Sequence, residues 1–403
     1  MSLLEVITKA SSNIPTPPEK ESTFPIVFNP EPIFLRLKSE SHDLKDENPV
    51  KKVTGWEISQ TDSDLIELGE KLFKSLKRKL KNSNSFGRDD FLTILTSHLE
   101  KIGNKRGISI GVDELEEGYA CKLVEKLGSS MCRDVKELVL DGCISLEVWD
   151  VLESLISNGI VEHSCISNLI YKMIEKRKSD LIVLCVKKLF DLQTYDLMCI
   201  LKYFLVLPND GYKSLVSVRE YWESQALLAI EKVSSKGLGG KEKSLAKDAS
   251  ILVMLAHDGF SVSELCLHYL LASKNLDEVI FSACVGKLNG EEINALIQYL
   301  GKWLRKYERF PQVGPCPKAS SALGLEVCDW IPTLENVVKC LGLVVDEHFS
   351  SLVLHSEFHE ELKSLEGVVN SLAAEARLCG TLTNLTERLR SERNVMEEMW
   401  ILS

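Results

Sequence analysis

Leucine and other apolar residues recur at steps of three and four residues over most of this 403-residue chain. The pattern begins with five leucines between residues 65 and 80, and it returns in segment after segment as far as Leu389. Steps of three and four place side chains on one face of an α-helix, and the alternation of a half-buried strand is almost missing. The periodicity therefore predicts an all-α protein with many helices.

The helical segments are short, and brief polar turns separate them. They are predicted at residues 62–81, 88–102, 112–128, 131–140, 145–158, 164–176, 179–191, 194–206, 214–235, 244–257, 261–273, 275–287 and 290–309. Because the turns are short, consecutive helices should pack antiparallel as hairpins. A run of hairpins predicts an irregular α-solenoid over residues 61–310, in which each pair covers the apolar face of the next. The segments follow no exact period, so no named repeat class is predicted.

Prolines divide the rest of the chain. Seven of the twelve prolines occur in the first sixty residues, and each one fixes φ and removes a backbone donor. Residues 1–60 are therefore predicted to be a mostly disordered arm. A second group of prolines predicts a linker over residues 311–328.

The C-terminal residues 329–403 are predicted to form a hairpin of two long helices, at about 331–354 and 357–398. Along the second helix, apolar residues from Leu362 to Leu389 keep a spacing close to a heptad repeat. A coiled coil with a partner protein is the alternative interpretation of this spacing.

The charge balance limits what the chain can bind. It carries 48 Lys and Arg against 59 Asp and Glu, a formal net charge of −11, so any nucleic-acid contact requires a local basic patch. No apolar run approaches the ~18 residues of a spanning helix, and the first residues lack the apolar core of a signal peptide. None of the twelve cysteines forms a C-x-x-C pair, which predicts free thiols in a reducing compartment. Neither a membrane nor a cofactor is expected.

One basic patch stands out between residues 71 and 81, a segment that contains no acid. Its members are Lys71, Lys74, Lys77, Arg78, Lys79 and Lys81. They form either the solvated face of a helix or a contact for an import receptor or a polyanion. No aromatic side chains are expected to interleave with the charges as a stacking platform, so a sequence-reading RNA module is not predicted.

Two patterns could carry chemistry, and neither fits well. Gly107-Ile-Ser109-Ile-Gly111 matches G-x-S-x-G, but a helix end and a charged loop precede it where a strand is required, so a serine hydrolase using Ser109 is the weaker alternative. His348, His355 and His359 share a helical face, but they do not form H-E-x-x-H, and the pattern favours exposed or capping histidines. The residues therefore predict no catalytic set and no metal site.

Several stretches of the C-terminal third resemble the C-terminal region of the nucleolar protein 11 family. They are Asn275–Ile280, Leu288–Leu300, Pro332–Val338 and Leu343–Phe349. The order of elements is also similar, with a leucine-rich helix pair, a proline break, a helix containing Asp346-x-His348-Phe349, and a long final helix. The resemblance covers residues 250–395 well and residues 145–210 loosely.

The resemblance implies a non-enzymatic scaffold subunit of the small-subunit processome, which acts in pre-ribosomal RNA transcription and processing in the nucleolus. It implies β-propeller and helical processome proteins as partners, indirect or weak contact with pre-ribosomal RNA, and no small-molecule substrate. The family also carries an N-terminal β-propeller, for which residues 1–60 are too short. The alternative function is that of a helical adaptor outside the nucleolus.

Overall fold

The computed structural model describes residues 59–81, 86–108, 118–234, 239–311, 314 and 316–401, with side chains as far as 388 and at 390. Every regular element in this part of the chain is helical, with sixteen α-helices and four 3-10 helices. The prediction of an all-α protein is therefore confirmed. The arm predicted for residues 1–60 lies outside the described residues, apart from its last two positions.

The first eight α-helices lie close to the predicted segments. They are α1 (Gln60–Lys81), α2 (Arg88–Arg106), α3 (Tyr119–Leu127), α4 (Arg133–Ser145), α5 (Trp149–Ser157), α6 (His163–Glu175), α7 (Ser179–Lys188) and α8 (Thr194–Leu205). Gly159 ends α5 with a φ of 65°, a left-handed conformation that glycine adopts without strain. Its N–H and that of Ile160 donate to carbonyls of the last turn, so the chain reverses into α6.

The second eight α-helices include the longest element. They are α9 (Val216–Ser234), α10 (Gly240–His257), α11 (Val262–Leu271), α12 (Glu278–Val285), α13 (Gly290–Arg309), α14 (Pro317–Leu323), α15 (Leu334–Leu354) and α16 (His359–Ile401). The 3-10 helices are Gly128–Ser130, Asn209–Leu215, Glu326–Trp330 and Ser356–Phe358. Ser261 and Asn289 cap α11 and α13, each accepting a hydrogen bond from the N–H three residues on. These caps fix where the helices begin.

Alternate helices stack on one another in the first half of the array. Helices α3, α5 and α7 form one row, α4, α6 and α8 form the other, and α4–α5 and α6–α7 make contact between the rows. Side chains between the rows, such as Leu152, Ile156 and Ile182, are fully buried. Burial of each contributes about 1.5–3 kcal/mol relative to exposure. The apolar stripes seen in the sequence are the contact faces between these rows.

Helix α11 lies at the centre of the second half. It contacts α7 and α8 of the two rows as well as α9, and nearly all of its residues are buried. The α9–α10 hairpin separates α8 from α11 along the chain, yet α11 packs directly on the end of the rows. The polar His268 is buried here with Phe260 and Trp303 around its ring.

Residues 316–330 differ from the predicted linker over 311–328. Pro317 stands in the first turn of α14, where a missing N–H costs no hydrogen bond, so this proline begins a helix instead of interrupting one. Ala319, Leu323, Leu325 and Val327 are buried, and α14 packs on α10. The segment is part of the core.

The two C-terminal helices both pack on α13. Helix α15 also contacts α12, and α16 reaches α13 through its first turns, where Arg305 pairs with Glu361 at 2.7 Å and Gly301 contacts Leu365. The helix pair predicted for residues 329–403 is present, but the described contacts of α16 lie mainly on α13. Among the described helices, none has the length and apolar character needed to span a bilayer.

All twelve cysteines fall within the described residues and are free thiols. Cys143, Cys185 and Cys266 are buried in the helix rows and around α11, where they pack as small apolar side chains. Burial raises the pKa of Cys185 to about 12, which keeps it in the unreactive thiol form at neutral pH. These cysteines are core residues.

Candidate functional site

The basic patch lies on α1, and two of its charges are already paired. Lys71 Nζ lies 2.6 Å from a carboxylate oxygen of Glu67, and Lys74 Nζ lies 3.0 Å from one of Glu70. These acids stand four residues before their partners, just outside the acid-free segment 71–81 considered in the sequence. Such exposed pairs contribute about 0.3–0.5 kcal/mol each, but they remove two positive charges from the patch.

The remaining charges gather at the C-terminal end of α1. Lys77 and Lys79 lie over the rings of Phe73 and Phe86, with their Nζ atoms 4.9 and 5.5 Å from the ring centroids. Two aromatic side chains therefore lie beside the patch. Both rings are at least partly buried, so they support the lysine stems and offer no open stacking platform. The basic last turn also stabilises the negative end of the α1 dipole.

The three C-terminal histidines are held by the backbone or by packing. His348 Nε2 lies 2.8 Å from the Val285 carbonyl, and His359 Nε2 lies 2.9 Å from the Val353 carbonyl. The His355 ring stands edge-on to Phe358. Nowhere among the described residues do three His, Cys, Asp or Glu side chains come together as a metal site would require.

The G-x-S-x-G motif follows α2, which ends at Gly107 with a φ of 68°. A nucleophile elbow requires a strand at this place, and the preceding element is a helix. Ser109 and Gly111 themselves lie outside the described residues.

A groove that sequence reasoning missed is centred on Lys187, near the C-terminal end of α7. Cavities of about 530 and 340 Å³ meet at this residue. The Lys187 Nζ lies 4.8 Å from the ring centroid of Tyr221 on α9 and 5.2 Å from that of Tyr269 on α11. Burial lowers the pKa of Lys187, and the charge of nearby Glu326 opposes this shift. A partly desolvated cation on two aromatic rings is a strong local feature.

The larger cavity has an aromatic wall and a fixed rim. Phe190 leaves 74% of its surface exposed at the edge, and Trp330 lies on the opposite segment, 5.6 Å from the Tyr269 ring. The Asn275 side chain accepts from the Asp191 N–H and donates to the Leu189 carbonyl. It thereby joins the α7–α8 turn to the α11–α12 turn. Phe190 is thus exposed on a turn that the two hydrogen bonds of Asn275 hold in place.

The smaller cavity is lined by two carboxyl groups, those of Asp180 and Glu153. Asp180 Oδ1 is buried and has no hydrogen-bond partner among the described residues. Burial raises the pKa of Asp180, and burial followed by the negative charge of Asp180 raises the pKa of Glu153. Tyr221, in the same cavity, donates its hydroxyl proton to Glu326 at 2.7 Å. The cavity therefore combines aromatic surface with two carboxyl groups, of which the exposed Glu153 is open to a bound segment.

The groove is invisible in the sequence because at least five segments that are far apart in the chain build it. Its residues come from α5, α7, α9, α11 and the 3-10 helix Glu326–Trp330, and no short motif joins them. The sequence offers one signal of the groove. Lys187 and Phe190 both stand at the end of an otherwise apolar helix, and Phe190 is exposed. The chain matches no known protein-family profile and no curated protein.

Proposed function

We propose that this chain is a non-enzymatic scaffold subunit of the small-subunit processome, acting in pre-ribosomal RNA transcription and processing in the nucleolus. One observation carries the proposal: the stretches that resemble the nucleolar protein 11 family, Asn275–Ile280, Leu288–Leu300, Pro332–Val338 and Leu343–Phe349, lie on or beside three helices that pack together. These are α12, α13 and α15.

Specific bonds hold this unit together. His348 on α15 bonds the Val285 carbonyl at the end of α12, and Lys339 pairs with Glu278 at 3.0 Å. Tyr307 on α13 donates to the Pro332 carbonyl at 2.6 Å. The resembling stretches thus belong to one packed unit. This is compatible with a shared fold in this region, and the proposed role follows from the resemblance.

We infer further that the helices form an irregular α-solenoid. The support is the stacking of α3, α5 and α7 in one row and of α4, α6 and α8 in the other. In such an array each helix pair covers its neighbour, and the outer faces remain available to several partners at once. That arrangement suits a subunit that joins other proteins.

The partners that this role implies are β-propeller and helical processome proteins. The Lys187 groove offers them aromatic surface, one partly desolvated cation and two carboxyl groups in one depression. Contact with pre-ribosomal RNA would be weak or indirect, because the chain has a net charge of −11 and two of its six patch charges are paired. The groove is therefore the proposed protein contact.

Co-purification of the tagged chain from cells tests the proposal. We expect processome proteins together with precursor ribosomal RNA, and we expect Phe190→Ser to reduce their recovery. Leu227→Ser, on the outer face of α9 and 69% exposed, is the matched control and should leave recovery unchanged. Recovery of vesicle-coat or ubiquitin-ligase components without processome proteins would overturn the proposal.

A helical adaptor outside the nucleolus is the second candidate, because the groove fits a protein segment irrespective of the process. Microscopy of the tagged chain separates the two. Nucleolar signal supports the processome role, and a signal excluded from the nucleus supports the adaptor.

A further inference from the structure

Helix α7 lines both cavities of the Lys187 groove. Asp180, Leu184 and Lys187 are four and three residues apart, so they stand on one face of α7, and all three line the smaller cavity. At a rise of about 1.5 Å per residue, Asp180 and Lys187 are about 10.5 Å apart along the helix axis. Phe190 follows three residues after Lys187, in the larger cavity. The groove therefore runs along α7 from a carboxyl group to a cation and then to an exposed ring.

Two carboxyl groups, those of Asp180 and Glu153, form one end of the groove, which we name the acid end. Burial and the negative charges of Asp180 and Asp150 raise the pKa of Glu153, and Glu153 has no hydrogen bond or ion pair within the described residues. Lys178 is the cation that acts on Asp180, and its Nζ lies 4.5 Å from the ring centroid of Trp149. A basic side chain docked beside exposed Glu153 would offset the repulsion between the acids.

Lys187 is the cation between the two cavities, and it forms no ion pair within the described residues. Its Nζ lies over the rings of Tyr221 and Tyr269. The charge of Glu326 acts on Lys187, but the Glu326 carboxylate accepts the hydroxyl proton of Tyr221. A partly buried cation without a paired acid is unfavourable, so a carboxylate brought by a partner would be favoured here.

The charges also indicate which class of partner fits. A polyanion such as RNA would meet Lys187, but the carboxyl groups of the acid end would repel it. In the larger cavity the opposite charges of Lys274 and Asp329 offset each other, and Phe190 and Trp330 supply an aromatic wall. A protein segment can present a basic, an acidic and an apolar side chain to these three places.

An extended segment has the spacing that the groove requires. In a polyproline-type conformation, which has three residues per turn and rises about 3.1 Å per residue, side chains three residues apart lie on one side and about 9 Å apart. This is close to the distance of about 10.5 Å between Asp180 and Lys187 along α7. Side chains on one side of a β-strand recur at about 6.6 and 13 Å, which fits less well. Aromatic-lined grooves are a known mode of binding for polyproline-type segments.

We propose that the Lys187 groove binds an extended segment of a partner protein that carries a Lys or Arg three residues from an Asp or Glu, with an apolar side chain beyond the acid. The basic side chain pairs with Glu153, the acidic one pairs with Lys187, and the apolar one packs on Phe190 and Trp330. This inference deepens the role proposed above for the groove, and it rests on the groove being a protein contact.

Peptide display on the full chain tests the proposal. The probe is a library of random peptides, selected on the wild type and counter-selected on Phe190→Ser. We expect enriched peptides to carry Lys or Arg three residues from Asp or Glu, beside an apolar residue. Selection on Glu153→Arg should replace the basic residue with an acidic one. Glu137→Arg, at an exposed position on α4, is the matched control and should enrich the same peptides as the wild type.

Fluorescence anisotropy with a labelled enriched peptide then assigns each ion pair. Replacing the basic residue of the peptide with Gln should weaken binding to the wild type roughly fivefold and leave binding to Glu153→Gln nearly unchanged. Replacing its acidic residue with Gln should have the same effect with Lys187→Gln, and exposed Lys188→Gln is the matched control. Unchanged far-ultraviolet circular dichroism verifies that each variant is folded.

Several results would overturn the proposal. They are the absence of enrichment, enriched peptides that bind Phe190→Ser equally well, and peptide and protein changes whose effects are independent of each other. Displacement of the peptide by a short single-stranded RNA would also overturn it, because a polyanion would then be the ligand. Peptide display requires no processome protein, so loss of processome proteins from the co-purification, with the peptide preference intact, would overturn the processome role alone.

Discussion

His268 Nδ1 lies 2.7 Å from the hydroxyl oxygen of Tyr299, and both side chains are fully buried. The other ring nitrogen, Nε2, lies 3.0 Å from the Ala256 carbonyl and must donate to it. Nδ1 is then the acceptor for the Tyr299 proton, while Trp303 donates its indole N–H to the same hydroxyl at 3.1 Å. The neutral imidazole satisfies every partner, so this site requires an uncharged histidine.

The first prediction follows from that requirement. Burial lowers the pKa of His268 from 6.5 to about 3, so the unfolded chain binds a proton at this site that the folded chain excludes. Stability is therefore fully present above pH 6.5 and falls as the pH drops toward 3, by up to about 1.4 kcal/mol per pH unit. Urea unfolding at a series of pH values should give a shallower decline for His268→Gln than for the wild type. His359→Gln, at an exposed site, should retain the wild-type slope.

The second prediction uses two glycines in helix interiors. A Cβ on Gly142 would lie 2.5 Å from Phe91 Cε2, and Phe91 is fully buried, so Gly142→Ala should destabilise the protein by about 1–3 kcal/mol. A Cβ on Gly342 meets nothing within 4 Å, so Gly342→Ala should stabilise by about 0.5–1 kcal/mol through helix propensity. Thermal unfolding measures both. Shifts of the same sign would contradict the packing at Gly142.

The third prediction separates the free charges of the basic patch from the paired ones. Replacing Lys77, Arg78 and Lys79 with Gln should reduce nucleolar accumulation or salt-sensitive RNA retention. Replacing Lys71 and Lys74 with Gln should have a smaller effect, because Glu67 and Glu70 already neutralise them. Imaging and RNA retention at two salt concentrations measure the difference. If the triple variant behaves as the wild type does, the patch is only a solvated helix face.

The fourth prediction concerns Asp180. Its pKa is raised by burial, so the folded chain holds the proton more tightly than the unfolded chain, whose aspartate titrates near 3.8. The stability that this provides is present at low pH and is lost as the pH rises through the folded pKa. Asp180→Asn should therefore raise the melting temperature at neutral pH, by an amount that shrinks on acidification. Asp191→Asn, on the exposed α7–α8 turn, is the matched control. A lower melting temperature for Asp180→Asn at neutral pH would contradict the unfavourable burial of the charged carboxylate.

The helices were predictable because each apolar stripe is a local property of ten to twenty residues. The segment around Pro317 was not, since a proline that starts a helix and a proline that interrupts one look alike without knowledge of what packs beside them. The pairing of Lys71 with Glu67 was missed for a simpler reason: helical neighbours stand four residues apart, and the acids lie outside the run of charge.

The functional surfaces also differ in how far the sequence could predict them. The basic patch on α1 can be read directly from the sequence, because all of its charges stand within residues 71–81. The Lys187 groove has only one local signal in the sequence, the end of α7 that carries Lys187 and Phe190, and this signal does not locate it. Its aromatic wall joins Phe190 to Trp330, which are brought together only by the packing of α7 and α11. Contacts between segments that are far apart in the sequence leave no periodic pattern within any one segment.

The hydrogen bonds of Asn275 can form only after residue 275 has been synthesised, well after the turn that they hold. These bonds, to Asp191 and Leu189, join positions 84 and 86 residues apart in the chain. At translation rates of about 5–20 residues per second, the α7–α8 turn leaves the ribosome roughly 4–17 s before the side chain that braces it. During that interval the ends of the two helix rows lack the cover that α11 provides. A nascent chain paused between residues 205 and 260 should therefore recruit chaperones that release once α11 has emerged.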